Sequence, residues 1–284
     1  LPVVLARGLW SNLEVWKEFG QELASEEGRD TWLIEITGGP DTDCAGRDVD
    51  NCPDYTYDNI TEKYVPALLN KVLTETGKSK LQYVGFSNGC RSALTSLENN
   101  DFAPSKVDTF VGVGCPGNFS RATTFGSLFN STGQQVVNNL RDANKNHVTI
   151  KEATQEACKE SNGVTSCLFT RLVKGTNKIS VNLLNSYYGF INSSLDNQPG
   201  SGMTIDKFTI IYGDALGSES PFHDGMVAGQ DSLSIFDVVN SNDKEICALF
   251  RTHSGIADAF STRDIIKKKL NGEEVASLLS RCSN

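Results

Sequence analysis

The sequence predicts an α/β fold, a mostly parallel, doubly wound sheet carrying a helical insertion. Three observations support it. Short apolar, β-branched runs recur along the 284 residues, stretches with helical spacing of apolar residues separate them, and one long interval breaks the rhythm. Continuous apolar strands, rather than strands alternating apolar with polar, suit a parallel sheet covered on both faces.

Taken in order, the predicted strands are Val3 to Ala6, Trp32 to Ile36, Leu81 to Phe86, Val107 to Val113, Phe208 to Tyr212 and Ile246 to Phe250. Helices are predicted around 12–25, 57–76, 88–99, 231–239 and 257–280, so strand and helix alternate as repeated units. Ligands of such sheets lie at the carboxyl ends of the strands. The core is therefore assigned to 1–116 and 206–284. Residues 117–205 form the insertion, with helix-like segments and no long strand. Within it Val181, Leu184, Tyr188 and Ile191, and likewise Phe125, Leu128 and Phe129, recur at roughly helical spacing. Such faces pack on the core, roof a substrate as a lid, or do both.

Composition narrows the function classes. A hydrophobic content of 38% with 21% charged residues describes a packed chain and excludes wholesale disorder. The net charge of −9 repels phosphate backbones, so nucleic acid is not an expected partner. The run Lys267, Lys268, Lys269 falls near a predicted helix end, where cations complement the dipole. No apolar run reaches the about 18 residues of a membrane span, so no integral span is expected. The chain opens on Leu1-Pro2-Val3 without an initiator Met, which suggests a processed N-terminus.

Eight cysteines and the sequons at Asn59, Asn118, Asn130 and Asn192 together point to an oxidising secretory route, hence a secreted protein. Eight cysteines allow about 105 pairings. Local geometry favours Cys44 with Cys52 and Cys158 with Cys167, each closing a short polar loop. Cys90 with Cys115 and Cys247 with Cys282 would join elements that the fold makes neighbours. There is no C-x-x-C pair and the three histidines are scattered, which argues against zinc; no metal or organic cofactor is expected.

The chemistry centres on Gly85-Phe86-Ser87-Asn88-Gly89, set between the predicted strand Leu81 to Phe86 and the helical pattern Arg91 to Leu97. A pentapeptide of this kind alone is a weak signal; strand before and helix after make it a nucleophile elbow. Glycines two before and two after the serine fit because side chains there would collide with strand and helix. The serine is thereby raised above the sheet at the positive helix end. An activated serine needs a base. His147 falls in the insertion beside Lys145 and Asn146 and reads as a solvated surface residue, whereas His223 sits beside an aspartate in a loop. His253 follows the last strand and precedes Ser254-Gly255-Ile256, on a loop above the carboxyl edge, and is the expected base. For the acid, Asp224 in Asp224-Gly225-Met226-Val227 is favoured over Asp214, which ends the strand through Gly213. A carboxylate held beyond the strand by a turn suits a buried orienter of the imidazole.

The order Ser, Asp, His, the elbow and the segments at 224–227 and 253–256 resemble the α/β-hydrolase lipases, particularly the compact bacterial triacylglycerol lipases, over 1–116 and 206–284. The resemblance implies a catalytic triad of Ser87, Asp224 and His253 acting on ester bonds, as a lipase or carboxylesterase on a small-molecule or lipid ester. It also implies an oxyanion hole. In that family the first core strand leads into His-Gly and an apolar residue whose amide serves as a donor; here the stretch is Ala6-Arg7-Gly8-Leu9-Trp10, so Leu9 matches and Arg7 replaces the histidine. Asn88 would supply the second amide. Trp10 could line the acyl pocket. An acyltransferase would use the same serine and differ in excluding water, and nothing suggests the peptide-binding edge of a peptidase. Arg7 is the one feature that favours a silent binding module on the same scaffold.

Overall fold

The structure, a computed structural model, describes residues 1–9, 11–35, 55–117, 133–160, 178–192, 203–214, 229–275 and 281–283. In chain order its strands are β1 (Val3–Ala6), β2 (Thr31–Ile34), β3 (Leu81–Phe86), β4 (Val107–Val113), β5 (His147–Thr149), β6 (Lys178–Ser180), β7 (Lys207–Gly213), β8 (Asp243–Leu249) and β9 (Arg281–Ser283). Seven of them form one sheet in the order β2-β1-β3-β4-β7-β8-β9. Every pairing in it is parallel except the last, where β9 runs antiparallel to β8.

Alternation along these apolar strands feeds two cores. Val3, Leu5, Val84, Phe86, Val111, Val113 and Ile211 turn to one face, while Val4, Ala6, Tyr83, Phe110, Phe208 and Ile210 turn to the other. Residues of both parities are apolar because both faces are covered. Across the second face Tyr83, Phe110 and Phe208 are register partners on β3, β4 and β7, with ring centroids 5.1 and 5.7 Å apart.

The covering helices follow from amphipathic patterning and their caps. In α1 (Glu14–Glu26), Trp16, Phe19 and Leu23 are buried, and Trp16 Nε1 donates to the Ala6 carbonyl at 2.8 Å, fixing the helix to the carboxyl end of β1. Then α2 runs through Tyr57–Asn59, a π-helical turn Ile60–Tyr64 and Val65–Thr76, and stops at Gly77 with φ 64°. Thr56 and Asn59 form a reciprocal capping box at its start. That box employs the Asn59 side chain, and Thr61 of the same sequon is buried, so this sequon is part of a packed helix rather than a surface loop. Next come α3 (Asn88–Glu98), α4 (Gly133–Asp142), α5 (Ile150–Glu160), α6 (Val181–Asn192), α7 (Gly229–Val238), α8 (His253–Ile256) and α9 (Phe260–Asn271).

Between β4 and β7, α4, α5 and α6 accompany an antiparallel ribbon of β5 with β6. Val137, Leu140, Val148, Ile179, Val181 and Leu184 join the core cluster that holds Val4 and Tyr83. Val181 and Leu184 therefore pack on the core. Phe125, Leu128 and Phe129 lie outside the described residues, as do the side chains of Tyr188 and Ile191.

Several expectations need correction. The helix read over 257–280 is shorter: α9 spans Phe260–Asn271 and ends there because Gly272 takes a φ of 74°, while a separate short α8, His253–Ile256, precedes it. Downstream, Arg281–Ser283 is an edge strand too short for periodicity to reveal. The last parallel strand ends at Leu249, and Phe250, read as its final apolar residue, is 73% exposed. His147 is not a solvated residue: it sits in β5 with both ring nitrogens shut off from solvent. The three lysines do fall near the end of α9, as expected, and each is paired: Lys267 with Glu22, Lys268 with Asp264 and the buried Lys269 with the buried Glu245.

Disulfides join Cys90 to Cys115 and Cys247 to Cys282, the latter two being direct register partners across β8 and β9. Cys44, Cys52, Cys167 and the Cys158 side chain lie outside the described residues.

Candidate active site

At the carboxyl edge of the sheet β3 breaks into α3 through a single residue, Ser87. Its φ of 52° and ψ of −120° are outside the regions comfortable for a residue with a Cβ. The packing on both sides enforces this. A Cβ on Gly85 would stand 2.6 Å from the Cys90 backbone, and one on Gly89 would overlap the Arg7 carbonyl. The Ser87 amide donates to the Val113 carbonyl at 2.8 Å, tying the bend to the end of β4. The result is a hydroxyl at the N-cap of an 11-residue helix.

His253 meets it from the far side of the sheet. It is the first residue of α8 rather than a loop residue, and its Nε2 is 2.9 Å from Ser87 Oγ. The residue is 7% exposed. Phe86 covers it, centroids 5.1 Å apart, and Gly114 lies beneath. A Cβ on Gly114 would be 3.1 Å from His253 Cε1 and 3.2 Å from Nδ1, and Gly114 itself has φ 55°. Sequence reasoning passed over Phe86 and Gly114. Phe86 could have been found as the residue preceding the elbow serine; Gly114 was signalled only by a glycine directly after an apolar strand.

The first-strand loop lies against the same bend. A Cβ on Gly8 would be 3.0 Å from Ser87 Cβ and 3.1 Å from the Phe86 ring. Leu9, next along, is half-buried and packs against the core cluster. Asn88 opens α3 and is buried, and the first amides of a helix have no intrahelical acceptor. The amides of Leu9 and Asn88 thus belong to segments flanking Ser87. Asp214 follows β7 directly; its amide donates to the Leu249 carbonyl at 2.6 Å, and one carboxylate oxygen is shut off from solvent. Asp224, His223 and Trp10 lie outside the described residues.

Among the described residues, Glu245, Cys247 and Cys282 are close enough to suggest a metal cluster. Both sulfurs are in the disulfide and the carboxylate faces Lys269, so this trio has no free ligands to offer.

Solved structures sharing this architecture include a carboxylesterase of Nitrososphaera gargenis (TM-score 0.54, 13% identity, 95% of this chain and 89% of that one). A Bacillus megaterium epoxide hydrolase aligns with TM-score 0.57 at 12% identity, over 95% of this chain and 93% of that one. The chain has the α/β-hydrolase fold. No protein-family model matches it. A probable lipase of Schizosaccharomyces pombe is 28% identical over 118 residues, 37% of this chain and 26% of that protein. The match thus spans about a quarter of the curated relative's length. An α/β-hydrolase fold hosts more than one chemistry, as these two solved structures illustrate, so the reaction must be argued from the site.

Proposed function

We propose that the protein is a serine hydrolase of carboxylic esters, a lipase or carboxylesterase that works through an acyl-enzyme on Ser87. The observation that carries this reading is the 2.9 Å approach of His253 Nε2 to the hydroxyl of a residue held at φ 52°. A buried imidazole at hydrogen-bond distance from a strained serine on a helix N-terminus is the arrangement that nucleophilic catalysis requires.

In the first half-reaction Ser87 Oγ attacks the ester carbonyl as its proton passes to His253 Nε2. The backbone amides of Leu9 and Asn88 receive the oxyanion, each such donor typically lowering the barrier by about 3 kcal/mol. His253 then protonates the departing alkoxide, leaving an acyl group on Ser87. Water, deprotonated by the same ring, attacks that acyl group; its proton returns to Ser87 and the carboxylic acid leaves. Asp224 orients the imidazole through Nδ1. The alternative orienter is Asp214, at the carboxyl end of β7. The insertion roofs the site as a lid, and the substrate is a small-molecule or lipid ester. Nothing in the mechanism calls on a metal. The names of the partial lipase relative and the carboxylesterase neighbour support ester chemistry. Two disulfides and the three remaining sequons, at Asn118, Asn130 and Asn192, support a secreted protein.

The test is labelling with a fluorophosphonate probe. Wild type should label and Ser87→Ala should not; an unlabelled wild type that also leaves p-nitrophenyl esters intact would remove the proposal. Asp224→Asn should lower kcat by about 10⁴-fold, with Asp214→Asn far milder, and the reverse ranking would exchange their roles. A rate rise above the solubility limit of a triglyceride would mark a lipase, its absence an esterase.

A further inference from the structure

Arg7 is the residue that departs from the family pattern, and it is buried. Its side chain and that of Glu35, just beyond β2, are each only 8% exposed, and Arg7 Nε is paired with a Glu35 carboxylate oxygen. A second guanidinium nitrogen, Nη1, donates to the Gly8 carbonyl at 2.8 Å. The same carbonyl accepts from the Ser11 amide at 3.2 Å. Tyr55, 3% exposed, stands close enough to feel both charges, and its phenol is hydrogen-bonded to the backbone of Ser180 in β6.

The consequence lies in the peptide plane. The carbonyl of Gly8 and the N–H of Leu9 belong to one planar, trans unit, so fixing where the oxygen points fixes the opposite direction for the N–H. The neighbouring Gly8 has no room for a Cβ beside Ser87, so this plane lies directly against the nucleophile. We infer that Arg7 is a positioning residue: clamped by Glu35, its guanidinium grips the Gly8 carbonyl and thereby aims the Leu9 amide at the oxyanion. This rests on the ester-hydrolase reading above and adds to it the part that sets one oxyanion donor. A charged fork that holds a carboxylate and a carbonyl at once is a task for arginine; a lysine ammonium is a point charge without that fixed geometry. The one residue that favoured a silent scaffold thus acquires a part in the reaction.

The experiment compares wild type with Arg7→Met/Glu35→Gln, which removes the two charges together so that neither is left buried alone, and with Arg7→Lys. Readouts are kcat and KM on p-nitrophenyl butyrate and the inhibition constant of an alkylboronic acid, whose tetrahedral adduct on Ser87 mimics the intermediate. The double variant should lose about 10- to 100-fold in kcat, short of the loss for deleting a donor outright. KM should stay within about threefold while boronate affinity falls in parallel with kcat. Arg7→Lys should recover part of both. A merely structural role would lower the melting temperature while leaving kcat and boronate affinity of the folded fraction intact, and that result overturns the inference. Should the double variant fail to fold, Arg7→Lys decides alone: an unchanged kcat and boronate constant overturn it, a parallel loss supports it. A wild type without ester turnover or Ser87 labelling would sink the ester-hydrolase reading itself; an active wild type with indifferent Arg7 variants sinks only this one.

Discussion

A methyl group at position 114 would reach 3.1 Å from the ring of His253, in a backbone conformation of φ 55° that disfavours any side chain. Gly114→Ala is therefore expected to push the imidazole off Ser87, with a stability loss of about 1–2 kcal/mol from the left-handed backbone and a larger, separable loss of kcat. Turnover per folded molecule, scaled by urea unfolding, checks this; normal kcat in a folded variant would contradict it. Gly85 is stricter. Its missing Cβ would stand 2.6 Å from the backbone of Cys90, so Gly85→Ala should not yield a folded elbow. At this scale the sequence was unevenly informative. Gly85 was legible because what crowds it, the backbone of Gly89 and Cys90, is local; Gly89 was legible only through its spacing from the serine, since Ala6 and Arg7 crowd it. Gly114 and Arg7 were not, because what surrounds them comes from 253 and 35, far along the chain.

Among the elements, α5 shows how a helix of the insertion starts. Thr149 and Glu152 form a reciprocal box: the Glu152 amide donates to Thr149 Oγ1 at 3.2 Å, and the Thr149 amide donates to Glu152 Oε2 at 2.9 Å. Burial tends to raise the Glu152 pKa, but Lys145 and the Thr149 amide and hydroxyl outweigh it and hold the carboxyl down to about 2, from 4.5. Since folding lowers this pKa, the unfolded chain takes up the proton first as pH falls. The stabilisation is complete above about 4.5 and is lost progressively between there and about 2. Glu152→Gln should flatten the acid limb of the thermal-stability profile in that window, and an unaltered limb would contradict the assignment. Thr149→Ala should cost about 1 kcal/mol at neutral pH, read by chemical denaturation. The central strands β1, β3, β4 and β7 were legible as elements because each is an apolar run buried on two faces. The start of α9 was not: the apolar residues Ile256, Ala257 and Ala259 lead up to it, while Ala259 takes an extended ψ of 135° that no residue type there signals.

The whole molecule is closed at one edge by β9, three residues antiparallel to β8 and bonded to it through Cys247 and Cys282. A crosslink over 35 residues constrains the unfolded chain by about 4 kcal/mol in the loop-entropy picture. Cys247→Ala/Cys282→Ala should therefore lower the unfolding free energy by about 2–4 kcal/mol, and because β8 ends four residues before His253, activity should fail at lower urea than the sheet unfolds. Coincident loss of activity and sheet structure would show the edge and the site to be one cooperative unit. A net charge of −9 works at the same scale: steering of anionic ester substrates should be unfavourable, so their kcat/KM should rise with salt while neutral esters are indifferent.

Sequence by itself determined the doubly wound sheet, the bend that carries Ser87 and the choice of His253 for testing, because periodicity and glycine spacing are written in residues that are neighbours along the chain. Tertiary structure alone decided that Nε2 and Oγ stand 2.9 Å apart, that Phe86 and Gly114 seat the imidazole, and that Arg7 and Glu35 are buried together. The pairs Arg7 with Glu35 and Ser87 with His253 are separated by 28 and 166 positions, and their distances are set by how strands stack across the sheet, which no local pattern encodes.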